Sequence, residues 1–228
     1  MSQREHTSKL FELQLRTLKD KLLRMGHHAE KMIDDAIRAL VERRPSLAEE
    51  VIKSDDALDQ LEMEIDNLCY QVLALEQPVA RDLRFVATAL KIVRDIERIG
   101  DIGVNIAERA RELIQEPVLK RLIDFPIMAD AAQRILKDSL DAFVNSDAEL
   151  AERVIMADRH IDDLYEQMFR ELLTYMMEDT RYISRALKLI FIAKHLERVG
   201  DHSANIAEMV IFLVRGQDIR HGTRLDRG

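Results

Sequence analysis

The chain has 228 residues, 47% of them hydrophobic and 33% charged, with 34 Lys and Arg against 42 Asp and Glu for a formal net charge of -8. That balance excludes the clustered basic footprint of a nucleic-acid-binding body, and no apolar run approaches the roughly 20 residues of a membrane span. With no apolar signal core in "MSQREHTSKLFELQ", the expectation is a cytoplasmic protein.

Seven glycines, four prolines and no Trp leave few turn residues, which favours long helices over sheets. Helical periodicity predicts six helices. The first runs from about residue 6 to 43, where "RRPSLAEE" stops it and Ser46 with Glu49 matches a capping box for the second. That helix reaches Leu75, and Pro78 sits near the first turn of a third that extends to Gln115. "EPVLKRLIDFP", bounded by Pro117 and Pro126, is the expected junction between two halves. A fourth helix runs to Val144, Ser146 and Glu149 repeat the capping-box relation, and the turn between the fifth and sixth helices falls in "MEDT", residues 177–180. Gly216 caps the sixth helix, and residues 217–228 form a polar tail. The predicted fold is therefore all-α: two tandem three-helix bundles over residues 1–115 and 127–216, with the junction at 116–126. The single cysteine, Cys69 in "DNLCYQVL", reads as a small buried hydrophobe.

The two halves repeat each other. "ERIGDIGVNIAERA" from Glu97 and "ERVGDHSANIAEMV" from Glu197 agree at eight of their first twelve positions, at an offset of 100. Upstream, "AEEVIKSDDALDQL" from Ala48 matches "AERVIMADRHIDDL" from Ala151 at an offset of 103. Two separated motifs in constant order indicate a duplicated three-helix unit, with the difference of three placed in its second connection.

At about 100° per residue, Glu97, Asp101, Asn105 and Glu108 share a narrow line on the third helix, as do Glu197, Asp201, Asn205 and Glu208 on the sixth. Each line continues an apolar one, through Leu83, Val86, Leu90 and Val93 or Ile183, Ala186, Ile190 and Ala193. A second apolar line through Ile92, Ile99 and Ile106, matched by Ile192, Val199 and Ile206, lies opposite, so these helices bury two faces and the carboxylates are expected to point at another helix. The preceding helices carry Asp55 with Asp59, and Asp158 with Asp162, at i,i+4. Glu62 and Asp66 extend that line in the first unit, where the second has Tyr165 and Phe169.

Packed carboxylates must protonate, find cationic side chains or bind cations. One reading pairs Arg94 with Glu97, Arg98 with Asp101, Lys194 with Glu197 and Arg198 with Asp201. The other is a metal site of hard oxygen ligands. Gly100 and Gly200 precede the key aspartates inside helices, where Gly costs about 1 kcal/mol relative to Ala; close approach by a backbone, a ligand or an ion accounts for them, and so does tight helix packing. His160, His195 and His202 lack the E-x-x-H partner of di-iron bundles. Glu30 and Asp34 have no acidic counterparts in the second unit and read as surface charge.

The repeat, "PVARDLRFVATALKIVRDIERIGDIGVNIAE" and "ALKLIFIAKHLERVGDHSANIAE" together resemble the PhoU family of phosphate-transport accessory and regulatory proteins over nearly the whole chain. Pro78 followed by Asp82, Leu83 and Arg84 is a marker; the second unit has "EDTRYISRA" there instead. The resemblance implies metal clusters on Asp55, Asp59, Glu97 and Asp101 and on Asp158, Asp162, Glu197 and Asp201, with iron, zinc, manganese and magnesium all admissible. It further implies a non-enzymatic cytoplasmic adapter, homodimeric and able to associate peripherally with the membrane. Such an adapter represses phosphate uptake and the phosphate-starvation response by linking the ATPase subunit of the phosphate ABC transporter to a PhoR-type sensor histidine kinase. The residues alone also admit a metal-dependent enzyme or metal store using the same carboxylates, or a helical scaffold without metal.

Overall fold

Six helices follow the duplicated pattern: α1 (Ser2–Glu42), α2 (Pro45–Leu75), α3 (Ala80–Ile114), α4 (Asp124–Asn145), α5 (Ala148–Glu178) and α6 (Ile183–Arg215), the last preceded by a 3-10 turn at Thr180–Tyr182. This computed structural model describes residues 2–216, with side chains from residue 9 onward, so the tail predicted for 217–228 lies outside the described residues. No strand occurs among the described residues, and no helix among them is long and apolar enough to cross a membrane.

Both predicted capping boxes are corrected by the local backbone. Pro45 occupies the first turn of α2 behind an extended Arg44, which puts Ser46 inside the helix, and no side chain caps that end. At α5, Ser146 is consumed as the left-handed C-cap of α4 (φ 55°), and Asp147 does the capping. Its Oδ1 accepts the backbone N–H groups of Glu149 and Leu150 at 3.0 and 2.9 Å, satisfying two donors that the helix start leaves open. The sixth helix does end at Gly216, whose φ of 71° suits a residue without Cβ.

Helical structure resumes at Ala80 in the first unit and Thr180 in the second, again an offset of 100. Four residues, 76–79, connect α2 to α3, whereas Asp179 alone separates α5 from the 3-10 turn, so the difference of three does lie in the second connection.

Helices α1, α2 and α3 pack mutually, as do α4, α5 and α6, and the halves lie side by side through α3 against α6 and α1 against α4. The central pair is antiparallel: Arg84 approaches Gly216, Asp95 meets His202, and Lys188 pairs with Glu112 and Glu116 at 3.1 and 2.8 Å. Burial of Ile92, Ile99 and Ile106, and of Ile192, Val199 and Ile206, satisfies the second apolar line of each central helix. Between α1 and α4, Lys19 donates to the Val144 carbonyl at 2.8 Å, and the Phe85 ring of α3 stacks on Phe143 of α4 with centroids 4.6 Å apart. A single continuous apolar core runs through both bundles; each large side chain fully buried in it contributes about 1.5–3 kcal/mol.

Candidate functional site

The i,i+4 spacing on α2 and α3 brings the first set of carboxylates to one interhelical groove. Burial, then the charges of Asp59 and Asp101, raises the Asp55 carboxyl above its ordinary range. Burial, then Asp101, Glu62 and Asp59, does the same to Glu97; burial, then Asp66 and Asp59, raises Glu62. Each shift has the same physical origin, charge removed from water beside like charge.

In the second groove, between α5 and α6, Asp158 is pushed up to about 7 by burial and by Asp162, Asp201 and Glu197, in that order. Asp162 is raised by burial and by Asp201. The structure thus assembles two four-carboxylate clusters from all eight predicted residues, and adds Glu62 and Asp66 to the first. Asp66 Oδ1 is buried without a hydrogen-bond partner. Cys69, one helical turn on, is buried, and its thiol is pushed up to about 12 by that burial and by Asp66.

The two in-helix glycines do different things. A Cβ on Gly100 would stand 2.0 Å from Leu58 Cδ2, so this glycine admits a core leucine that lies between Asp55 and Asp59. On Gly200 a Cβ would stand 2.3 Å from Asp158 Oδ1, so this one admits the acid itself.

The ion-pair reading accounts for little of the charge. Among the described residues, one pair of the four proposed forms, Lys194 Nζ to Glu197 Oε1 at 2.5 Å. Lys194 also lies 5.3 Å over the Tyr165 ring, the residue that replaces Glu62 in this unit. The first cluster has more carboxylates and, among the described residues, no ion-paired cation of its own.

These donors fit a hard cation by chemistry, since oxygen ligands whose mutual repulsion is uncompensated gain from added positive charge. They do not form a ready coordination shell: no three His, Cys, Asp or Glu side chains among the described residues close around a common point. The expectation that the carboxylates point away from solvent holds for half of them. Asp55, Glu97, Asp158 and Glu197 are partly covered, whereas Asp59, Asp101, Asp162 and Asp201 are exposed. The groove between an outer and a central helix has a wet rim, and the outer members of each i,i+4 pair sit on it.

Sequence reasoning missed a different polar pair. His202 Nδ1 and Asp95 Oδ1 lie 2.9 Å apart at the seam between the bundles. The signal was present, because both residues fall on the second apolar line of their helices, where a polar residue needs a partner. His28 bonds the Ser54 carbonyl at 2.9 Å through Nε2 and stands beside Asp55. Glu30, read as surface charge, is half-buried, and its carboxyl is raised by that burial.

A PhoU domain family model matches residues 22–110 and again 125–210. The chain is 44% identical over 217 residues to the phosphate-specific transport system accessory protein PhoU homolog of Pseudomonas putida, covering 95% of this chain and 85% of that one. It is 36% identical over 225 residues to the accessory protein PhoU of Escherichia coli K12, covering 98% and 93%. Among solved structures, PhoU from Pseudomonas aeruginosa superposes with a TM-score of 0.86 at 42% identity, over 91% of this chain and 100% of that one. The phosphate transport system regulatory protein PhoU from Streptococcus pneumoniae gives 0.84 at 30% identity, over 92% and 99%.

Proposed function

Because this chain belongs to the PhoU family, we propose that it is a cytoplasmic accessory protein of phosphate transport that restrains uptake and the phosphate-starvation response when phosphate is plentiful, without catalysing a reaction. It acts as an adapter, a homodimer that docks at the membrane face on the ATPase subunit of the phosphate ABC transporter and on a PhoR-type sensor histidine kinase. The observation that carries this reading is the likeness of both bundles, over nearly the full chain, to proteins named as transport accessories. Two bundles locked through α3 and α6 and through α1 and α4 suit the role, since a rigid body can hold two partners in fixed relation.

The same reading assigns hard cations, whether iron, zinc, manganese or magnesium, to the two acidic grooves. Asp55, Asp59, Glu97 and Asp101 would hold one set, and Asp158, Asp162, Glu197 and Asp201 the other. A bound cation supplies the positive charge that these carboxylates lack. Ligating one together, the side chains would tie α2 to α3 and α5 to α6.

Deleting the gene tests the regulatory role. The expected result is phosphate-starvation genes expressed in high phosphate, with repression restored by the intact chain. Normal repression in a deletion strain without a second copy would overturn the proposal.

A further inference from the structure

An apolar concavity lies where the two halves meet, at the ends of α1 and α3, the connection 115–123 and the starts of α4 and α6. It is a cavity of about 510 Å³ lined by eleven apolar residues and four cations, with no carboxylate. In a chain of net charge -8 that lining is a local reversal of sign. Its rim leaves Val118 60% and Ile123 62% exposed, far more than a chain residue packed for stability alone.

Two of the four cations, Arg43 and Arg121, have no ion pair among the described residues; Arg185 and Lys120 are paired. Arg43 donates through Nη2 to the carbonyls of Ile114 and Glu116, which fixes its guanidinium and leaves its charge uncompensated. Arg185 donates to the Pro117 carbonyl at 3.0 Å and stands 3.9 Å from Glu116. Arg121 is exposed, with no hydrogen bond or ion pair among the described residues. Lys120, by contrast, is buried and spent on Asp124 and Glu171. A second concavity of about 420 Å³ shares Val41 and Pro126 with the first and continues between α1 and α4 past Ile37 and Ile127, where Asp34, Glu42 and Asp130 edge it together with Arg38.

We infer that this groove is the docking surface for an acidic amphipathic helix of a partner protein, its apolar face on Val41, Val118 and Ile123 and its carboxylates on Arg43 and Arg121. The inference rests on the adapter reading and deepens it by naming the surface. A groove of this length, with apolar residues along its floor, cations at the end near α6 and mixed charge at the other, matches the way amphipathic helices are taken up by other helical proteins. Complementary charge at the rim sets orientation and encounter rate. A bilayer is disfavoured as occupant, because a flat surface cannot fill a concavity.

The test uses the full chain with the purified ATPase subunit of the host's phosphate transporter and, separately, the cytoplasmic part of its sensor kinase. Val118→Asp and Arg121→Glu are exposed changes. Each is expected to weaken binding to one of the two at least tenfold, with Arg121→Lys within about twofold of the parent and the circular dichroism unchanged. Leu83→Asp, an exposed apolar position (44%) near the opposite end of α3, is the control and should bind as the parent does. If the parent binds but Val118→Asp and Arg121→Glu stay within twofold, the groove is not the surface and the adapter reading survives. If the parent binds neither protein, both fall. Two other results also overturn the inference while partner binding is unchanged: Val118→Asp abolishing flotation with phosphatidylglycerol vesicles, which makes the groove a lipid site, or abolishing self-association in sedimentation, which makes it a contact between copies.

Discussion

His202 on α6 and Asp95 on α3 form a buried polar contact at the seam of the two bundles, 2.9 Å from Nδ1 to Oδ1, with each residue 8% exposed. The internal repeat, at an offset of 100, maps Asp95 onto His195 and His202 onto Ile102. The duplicated site therefore has a histidine and no acid: His195 Nδ1 is buried without a partner, and its pKa is lowered to about 4 by burial and by Arg198 and Arg109. One polar pair breaks the internal symmetry of the seam.

Asp95→Ala should destabilise the protein by about 1–3 kcal/mol, because it strands a buried imidazole nitrogen. The double change Asp95→Ala with His202→Ala should cost less than the two single changes added, with a coupling of about 0.5–3 kcal/mol. Urea denaturation of the four proteins measures it. Strict additivity would mean that the contact contributes nothing.

In metal-free protein the first acidic cluster should behave as repulsion. Glu97→Gln and Asp101→Asn should raise stability in chelator, since Arg94 and Arg98 do not pair with them. Glu197→Gln should not, because it removes the Lys194 pair along with the charge. At a hundredfold excess over its dissociation constant, a cation should stabilise the parent by about 2.7 kcal/mol and the first-cluster variants hardly at all. Thermal melts in chelator and in manganese, iron, zinc and magnesium read this out, and parallel losses in both conditions would remove the cation sites from the proposal.

The pH dependence should show two opposed contributions. Asp158 moves from 3.8 to about 7 on folding, so the native state binds that proton more tightly, and its contribution to stability falls as pH rises across that window. His195 moves from 6.5 to about 4, so its contribution falls as pH drops across that one. Both groups are partly solvated, which screens each effect to about 1–2 kcal/mol. Between pH 7 and 4.5 in chelator, Asp158→Asn should therefore lose more stability than the parent, and His195→Gln less. Identical profiles for all three proteins would show that neither group is perturbed.

Each glycine substitution should report what its helix admits. Gly100→Ala must displace Leu58 from a fully buried position, an overpacking cost of about 1–3 kcal/mol offset by about 1 kcal/mol of helix propensity. Gly200→Ala must turn the Asp158 carboxylate aside and ease Ile161 Cδ1 back from 3.3 Å, so it should be nearer neutral in chelator and lose its response to added cation. Melts of both variants with and without cation separate the two roles.

At the helix starts, Asp147→Ala should cost about 1 kcal/mol, as for other lost N-caps, and Ser46→Ala only a few tenths. Equal effects in equilibrium denaturation would restore the capping-box reading of Ser46.

The sequence by itself determined six helices, their duplication and the eight clustered carboxylates, because those follow from local period: 3.6 residues per turn sets which side chains share a face, and a repeat written twice shows which faces matter. It misplaced both caps, since Pro45 and the left-handed Ser146 claim backbone geometry that a four-letter motif does not encode. Tertiary structure alone decided that the bundles lie side by side, that Gly100 admits Leu58 while Gly200 admits Asp158, and that Asp95 finds His202 from 107 positions away. It also decided that half of each carboxylate set stays wet. Those outcomes depend on which helix packs against which and at what depth, and helical period fixes the direction in which a side chain points but not the neighbour it meets.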